Sequence, residues 1–279
     1  MRPTPVRDIR LWSVALVAGA LGLVFAAGCR GRHAGSLTLA GSTSVQPIAE
    51  LLAEHYMAAH PGPVINVQGG GSSAGIQAAV SGAADIGMSS RHLKPDETGL
   101  QEVLLARDAI ALIVHPRNPV RALAGQQVRG IFAGVIRRWD EVGGEPADIT
   151  FITREEGSGT RSAFEDLLMK GEEISQDAIV QDSTGAARAI VAGDPHAVAY
   201  ISLGMATPDV AVMTLDGVRP TPALVRGGQY RLTRPFLLLT RGAPTEQAAA
   251  FLRYVLSPEA QGTIAEEGYV PVQEGNGRP

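Results

Sequence analysis

Short apolar runs alternate with helical patterns along most of this chain, and this alternation limits the possible folds more than any other feature. Apolar runs at residues 37–41, 64–68, 85–89 and 109–115 are typical of buried strands. Between the first two, residues 47–60 place several apolar side chains on one helical face: Ile48, Leu51, Leu52, Tyr56 and Ala59. Alternation of strands and helices favours parallel α/β sheets.

The middle of the chain repeats this pattern. Apolar segments at 128–132, 149–153 and 197–203 form a second set of elements, so the sequence predicts two hydrophobic cores. Near the C-terminus, residues 235–240 favour a strand and residues 245–256 favour a helix. Periodicity does not assign this last strand and helix to either core.

The composition fits a globular protein and argues against nucleic-acid binding. The formal net charge is −4, and only 5% of the residues are aromatic. A nucleic-acid-binding protein needs a basic surface, and one that stacks bases also needs aromatic side chains. Any bound anion must therefore be held by local groups, since the overall charge of the protein does not attract it.

The N-terminus has the pattern of an export signal. Arg2, Arg7 and Arg10 precede a short apolar stretch, residues 11–28, which ends in small residues beside Cys29. Cys29 is the only cysteine in the sequence, which excludes an intrachain disulfide and a thiolate metal cluster.

The segment before Cys29 resembles a bacterial lipobox, in which the cysteine is acylated and becomes the mature N-terminus. We therefore predict a lipoprotein signal peptide at residues 1–28, lipidation at Cys29 and a polar tether at residues 29–36. The alternative is an ordinary secretory signal in which the cysteine is incidental. The expected location is outside the cytoplasm, lipid-anchored on the outer face of the cytoplasmic membrane or in the periplasm.

Three turns share one design, in which glycine with serine or threonine follows an apolar strand and precedes a helix. They are residues 41–44 (GSTS), 71–75 (GSSAG) and 157–160 (GSGT). A helix N-terminus exposes unpaired backbone N–H groups, glycine lets a ligand approach the backbone, and hydroxyls add neutral donors. Before the third turn, Arg154 supplies a guanidinium that can hold an oxyanion with two hydrogen bonds. The combination predicts a site for a small oxyanion.

Each turn also has an ordinary structural interpretation. Serine and threonine are common N-cap residues, so a single such turn more often caps a helix than binds a ligand. Arg154 could equally form an ion pair with Glu155 or Glu156. The occurrence of three such turns in one chain, one of them beside an arginine, favours the binding interpretation.

These turns lie in longer motifs that resemble the substrate-binding protein of the bacterial ABC-type phosphate uptake system. The motifs are AGSTSVQPIAELLAEHY at 40–56, VQGGGSSAGIQAAVSGAADIGMSSR at 67–91, REEGSGTR at 154–161, AVAYISLG at 197–204 and FLRYVLSPEAQGTIAEEGYVPV at 251–272. The resemblance implies an α/β protein of the type II periplasmic-binding fold. Such a protein has two α/β lobes joined by two hinge crossovers, with a ligand cleft between the lobes.

The same resemblance implies the limits of the lobes. With two crossovers, the chain leaves the first lobe once and later returns to it. The crossovers fall near His115 and Thr233, so that residues 36–114 and 233–279 form lobe I and residues 115–232 form lobe II.

The resemblance also implies which residues bind phosphate. The implied set is Thr43, Ser44, Ser72, Ser73, Ser90, Arg154, Ser158, Gly159 and Thr160. Glu156 corresponds to the acidic residue that orients the arginine. Ser90 stands where well-known members have an aspartate that accepts the phosphate proton and so rejects sulfate, and a serine lacks that charge. Selectivity among tetrahedral oxyanions is therefore open, and Arg91 is a candidate for an extra countercharge.

The predicted function is capture of inorganic phosphate by closure of the two lobes, followed by delivery to an ABC transporter permease. We predict no catalysis, no cofactor, no metal and no nucleic-acid partner. The predicted partners are the phosphate ion, the permease subunits and, through a lipid on Cys29, the membrane, and the protein is predicted to be a monomer.

Two alternatives remain open from the residues alone. GSSAG at 71–75 matches the G-x-S-x-G pattern, so a serine hydrolase using Ser72 is the leading enzyme alternative. Its base would be His115 or His196, although no HGGG-type oxyanion segment occurs in the sequence. The other alternative is a binding protein for a different tetrahedral oxyanion.

Overall fold

The computed structural model describes residues 36–272, and the structural statements below concern this range. The predicted signal peptide at 1–28 and the lipidation at Cys29 lie outside the described residues. Within 36–272, none of the helices combines the length and the apolar character that crossing a membrane requires.

The strands follow the apolar runs of the sequence. They are β1 (Ser36–Gly41), β2 (Val64–Gly69), β3 (Ile86–Ser89), β4 (Leu100–Val114), β5 (Ala122–Leu123), β6 (Thr150–Arg154), β7 (Ile179–Gln181), β8 (Ala197–Ser202), β9 (Ala211–Val212), β10 (Thr214–Leu215), β11 (Thr233–Arg241) and β12 (Val270–Pro271). The helices are α1 (Gln46–Ala59), α2 (Ser72–Ser81), α3 (Gly125–Phe132), α4 (Gly159–Phe164), α5 (Thr184–Gly193), α6 (Pro222–Arg226), α7 (Glu246–Val255) and α8 (Pro258–Glu266). A π-helical turn, Glu165–Met169, continues α4.

One 10-stranded sheet has the order β2-β1-β3-β11-β4-β8-β6-β7, and β9 and β12 also pair with β4. β1 pairs with β3, and β6 with β7 and β8, in parallel, as the alternation of strands and helices predicts. The prediction of parallel sheets is wrong at the centre, where β4 is antiparallel to both β11 and β8. The reason is connectivity: the returning chain inserts β11 between β3 and β4 from the opposite direction.

Strand β4 is much longer than the run predicted at 109–115. Its residues 100–109 pair with β11, and its residues 110–114 pair with β8. The first part escapes a search for apolar runs because it includes exposed polar residues such as Gln101 and Glu102, whereas the last part is fully buried. A single strand therefore belongs to both halves of the sheet.

Two large hydrophobic clusters form the two cores that the sequence predicts. The first contains side chains from β1, α1, β3, β11, α7 and α8, including Leu52, Phe236 and Phe251. The second contains side chains from α3, α4, β6 and β8, including Phe164 and Tyr200. The C-terminal strand and helix, which periodicity does not assign, pack in the first core.

Candidate anion-binding site

The three glycine-containing turns meet, because backbone hydrogen bonds join each turn to the next. The N–H of Gly71 donates to the carbonyl of Gly41 at 3.0 Å, and the N–H of Ser73 donates to the carbonyl of Gly157 at 3.1 Å. Gly41 has φ +140°, and a Cβ atom there would overlap the carbonyl of Met88, so the approach requires glycine. The three turns, which are far apart in the sequence, therefore lie next to one another in the fold.

Hydroxyls of the first and third turns contact each other. Ser44 is buried just before α1, and its Oγ lies 2.9 Å from Oγ1 of Thr160 in the first turn of α4. Ser158 is also buried, but its Oγ accepts the N–H of Arg161 at 3.3 Å. Ser158 therefore serves as the N-cap of α4, which is the ordinary structural role considered for these turns.

The second turn contributes Ser72, which contacts Ser90, a buried serine that directly follows β3. The Oγ of Ser72 accepts the N–H of Ser90 at 3.0 Å and lies 3.3 Å from the Oγ of Ser90. Gly159 packs directly against this pair, since a Cβ atom there would overlap Ser72 Oγ and lie 2.7 Å from Ser90 Oγ. Ser72 and Ser90 are therefore adjacent to the N-terminus of α4.

Arg154 supplies positive charge to this cluster. It ends β6, is fully buried, and donates from Nη2 to Oγ1 of Thr43 at 3.1 Å. Its Nε and Nη2 donate to the two carboxylate oxygens of Glu155 at 3.0 and 3.1 Å. Burial lowers the pKa of Arg154 and Glu155 opposes this shift, but the ordinary pKa of a guanidinium is so high that the group stays charged. Burial also raises the pKa of Glu155, against the effect of Arg154.

The prediction that Glu156 orients the arginine is wrong. Glu156 is exposed in the turn that follows β6, whereas Glu155 is partly buried and forms the ion pair with Arg154 at 3.0 Å. The immediate neighbour of the arginine therefore supplies the carboxylate.

Tyr200 of β8 holds the end of β6 in place. Its hydroxyl lies 2.6 Å from Oγ1 of Thr153 and accepts the N–H of Arg154 at 3.4 Å. Its ring stacks on Phe164 with a centroid separation of 3.9 Å. Burial raises the pKa of Tyr200 to about 12, so the neutral phenol can donate its proton to Thr153. The second core thus fixes the backbone from which the arginine projects.

Thr184 is a member of the cluster that the sequence analysis missed. It is the fully buried first residue of α5, and its Oγ1 lies 3.0 Å from Ser44 Oγ and accepts from Arg154 Nη1 at 2.8 Å. The signal was present, because residues 182–185 (DSTG) follow the strand β7 and precede a helix, as the three recognised turns do. A fourth turn of the same design therefore joins the site.

A buried ion pair between Asp108 and Arg234 was also missed. Arg234 donates from Nε and Nη2 to Oδ2 of Asp108 at 3.0 and 2.9 Å, and Ser202 donates to Oδ1 at 2.9 Å. The remaining Nη1 of Arg234 donates to Oγ1 of Thr160 at 2.6 Å and to Oγ of Ser90 at 3.2 Å. Burial raises the pKa of Asp108, and Arg234 opposes that shift. The available signal was that Asp108 and Arg234 each stand directly before an apolar run, residues 109–114 and 235–239.

The Ser73 hydroxyl and Arg91 belong to a separate pair of contacts. Arg91 donates to both carboxylate oxygens of Glu97 at 2.7 Å, and its Nη2 donates to Oγ of Ser73 at 3.3 Å. Glu97 therefore compensates the charge of Arg91, and the two donated hydrogen bonds lower the pKa of Glu97. The structure does not place Arg91 as a free countercharge for an anion.

Ser72 lacks the partners that a nucleophilic serine needs. Its hydroxyl contacts Ser90, and no hydrogen bond within residues 36–272 joins it to a histidine. His115 Nδ1 instead accepts the N–H of Arg117 at 3.0 Å, and the carbonyl of His196 accepts from Trp139 Nε1 at 2.9 Å. Since the hydroxyl needs an adjacent base to become a nucleophile, the geometry does not support hydrolysis.

The arrangement is suited to binding a small oxyanion without chemistry. The cluster contains six hydroxyls, of which those of Thr43 and Thr184 contact the guanidinium of Arg154 directly. The other four are those of Ser44, Ser72, Ser90 and Thr160. The two carboxylates at the site, those of Glu155 and Asp108, are each held by an arginine. Neutral donors together with the guanidinium of Arg154 can replace the hydration of an anion. Within 36–272, no group of three or more His, Cys, Asp and Glu residues could hold a metal ion.

The known proteins that this chain resembles include proteins named for binding phosphate, which is a small oxyanion. The family described as the PBP superfamily domain matches residues 30–259. The phosphate-binding protein PstS of Bacillus subtilis (strain 168) is 33% identical over 250 residues, which cover 87% of this chain and 83% of the relative.

Similar solved structures are also described as phosphate transport proteins. A putative phosphate ABC transporter substrate-binding protein from Clostridium perfringens, solved with bound phosphate, has a TM-score of 0.83 and 39% identity, covering 85% of this chain and 100% of that chain. An ABC-type phosphate transport receptor from Vibrio cholerae has a TM-score of 0.70 and 36% identity, with coverage of 85% and 100%. None of these three names describes a hydrolase.

Proposed function

The chain belongs to the family described as the PBP superfamily domain, and from this premise we propose that it captures inorganic phosphate and delivers it to an ABC-type permease. This membership, together with the phosphate-binding relatives, confirms the resemblance stated from the sequence and the type II periplasmic-binding fold. The Clostridium perfringens relative was solved with phosphate bound, which supports phosphate as the ligand here.

One observation carries the proposal: Arg154 is buried and its guanidinium already contacts two of the hydroxyls that would share the ligand. Nη2 donates to Thr43 and Nη1 donates to Thr184. A buried cation whose two hydroxyl partners also contact each other and Ser44 can exchange those contacts for an anion. Burying a charged ion is costly unless its oxygens all find donors, which these groups supply.

We propose that the two sides of the site come from two lobes. Lobe I would comprise residues 36–114 and 233–279, and lobe II residues 115–232. Thr43, Ser44, Ser72 and Ser90 then belong to lobe I, whereas Arg154, Thr160 and Thr184 belong to lobe II. The crossovers would be β4 and β11. The change of partner along β4 after Ala109 supports β4 as the first crossover, slightly before the predicted limit at residue 114. Closure would dehydrate the ion between both sets of donors and present the liganded form to the permease, with no bond made or broken.

We propose that the protein works outside the cytoplasm as a monomer anchored through a lipid on Cys29. The apolar stretch and the cysteine in the sequence support this anchor. In a bacterial host, the full-length chain should incorporate labelled fatty acid, and Cys29→Ser should lose the label and leave the membrane fraction. A label that persists in Cys29→Ser, or that the unaltered chain lacks, would refute the anchor.

Calorimetric titration with phosphate, sulfate, arsenate and molybdate tests the function. We expect a dissociation constant for phosphate on the order of 1 μM or tighter, equivalent to about −8 kcal/mol. Ser72→Ala should weaken phosphate binding by about tenfold, since it removes one buried donor worth about 1.5 kcal/mol. Absence of heat with all four anions, together with ester hydrolysis that Ser72→Ala abolishes, would favour the hydrolase instead.

A further inference from the structure

We propose that Arg234 is a positioning residue for the bound anion: through Nη1 it holds the hydroxyls of Ser90 and Thr160 so that both point their protons at the ion. The proposal rests on the proposed phosphate function. It concerns a side chain that would not touch the ligand and that lies outside the predicted set of binding residues.

The first step is that the charge of Arg234 is already balanced. Arg234 and Asp108 have side chains that are 1% exposed, and two guanidinium N–H groups converge on one carboxylate oxygen. The other oxygen accepts the hydroxyl of Ser202. The buried pair is therefore neutral as a unit, and Arg234 acts at the site through hydrogen-bond geometry, since it adds no net charge there.

The second step is the direction in which the hydroxyls can donate. Nη1 donates to Thr160 Oγ1 at 2.6 Å and to Ser90 Oγ at 3.2 Å. A hydroxyl has one proton and two lone pairs, and a cationic N–H that occupies a lone pair turns the proton away from itself. The other hydroxyl partners of these oxygens are Ser44, 2.9 Å from Thr160, and Ser72, 3.3 Å from Ser90. Both protons thus point into the cluster of donors.

The third step is that a hydroxyl becomes a better donor when a charged group donates to its oxygen. Hydrogen bonds in a chain polarise one another, and this effect is stronger in a buried site than in water. Arg234 would therefore strengthen two donors to the anion without reaching it. An ammonium group cannot reproduce the arrangement, because the planar fork of arginine holds Asp108 with one edge while Nη1 faces the hydroxyls.

The fourth step is that the two hydroxyls lie on different parts of the fold. Ser90 directly follows strand β3, which pairs with β11. Thr160 lies in α4, which packs in the second core. Arg234 itself lies in β11, opposite Asp108 of β4. A single Nη1 group therefore aligns one donor from each proposed lobe, and it does so only when the two sides are together.

The test compares Arg234→Lys with the unaltered protein by phosphate calorimetry and thermal unfolding. Lysine can keep an ion pair with Asp108, so we expect a folded protein, but with phosphate affinity about 30-fold weaker. Ser202→Ala is the matched control, since it loosens the other oxygen of Asp108 and leaves the Nη1 contacts intact. It should lower thermal stability while the dissociation constant changes by less than about threefold.

A second comparison separates positioning from general loss of structure. If Arg234 acts through Ser90 and Thr160, Arg234→Lys should cost much less affinity in a Ser90→Ala/Thr160→Val background than in the unaltered protein. Should Arg234→Lys not fold, Asp108→Asn/Arg234→Gln replaces the pair without leaving a buried charge unpaired and should show the same loss of affinity. Folded Arg234 variants that bind phosphate as tightly as the unaltered protein would overturn the inference. So would an Arg234→Lys substitution that costs as much phosphate affinity in the Ser90→Ala/Thr160→Val background as in the unaltered protein. An unaltered protein that fails to bind phosphate would instead refute the proposed function.

Discussion

Replacing Arg154 with glutamine is expected to weaken phosphate binding by about three orders of magnitude. Removing one partner of a buried, hydrogen-bonded charge pair costs about 2–5 kcal/mol, and each 1.4 kcal/mol is about tenfold in affinity. The substitution removes the guanidinium that contacts Thr43 and Thr184. It also leaves Glu155, a partly buried carboxylate, without its cation at a site that must accept an anion.

The measurement is a phosphate titration of Arg154→Gln beside Arg188→Gln. Arg188 lies on α5, pairs loosely with Asp209 at 3.9 Å and donates to the carbonyl of Met205. Its replacement by glutamine changes the net charge by the same amount as Arg154→Gln. We expect Arg188→Gln to keep the dissociation constant within about threefold of the unaltered value, because Arg188 is bonded to none of the site hydroxyls and its long, partly exposed ion pair contributes little. An Arg154→Gln protein that is folded and binds phosphate within tenfold of the unaltered protein would contradict the role given to this arginine.

Replacing Gly159 with alanine is expected to weaken phosphate binding by at least about 100-fold. The added methyl group would overlap Ser72 Oγ and lie 2.7 Å from Ser90 Oγ and 3.0 Å from Ser72 Cβ. Either the two hydroxyls rotate away from the site or α4 shifts and carries Thr160 with it. A displacement of donors by about 1 Å can cost two orders of magnitude in a preorganised site, and overpacking costs about 1–3 kcal/mol of stability.

Gly262→Ala is the control for this substitution. Gly262 lies within α8, and a Cβ atom there would have no heavy atom within 4 Å. In an open helical position, alanine should raise stability by about 0.4–1 kcal/mol and leave phosphate binding unchanged. Thermal unfolding and calorimetry measure both effects, and a Gly159→Ala protein with undiminished affinity would show that the close packing around Gly159 does not shape the site.

The parts of the site that the sequence predicts well are the turns with a local signature. Gly41, Ser72 and Thr160 stand in strand–turn–helix units whose glycines and hydroxyls can be recognised without knowledge of the fold. Arg154 is likewise recognisable beside its turn. Thr184 follows the same rule, and it was missed because the strand before it, Ile179–Gln181, is short and exposed.

Long-range pairing accounts for what the sequence could not predict. Asp108 and Arg234 are 126 residues apart and meet because β11 inserts beside β4 in antiparallel register, with Arg234 opposite Asp108. Local periodicity does not say which two distant strands will pair. The choice of Glu155 over Glu156 depends on which side of the turn each carboxylate faces, which also becomes clear only in the folded chain.

A crystal structure of the protein grown with phosphate tests the central claim most directly. We expect one tetrahedral ion between the turns, within hydrogen-bond distance of the Arg154 guanidinium and of hydroxyls from both sides of the site, such as Ser72 and Thr160. A phosphate ion bound elsewhere, or held by one turn while the other hydroxyls keep their present partners, would contradict the account.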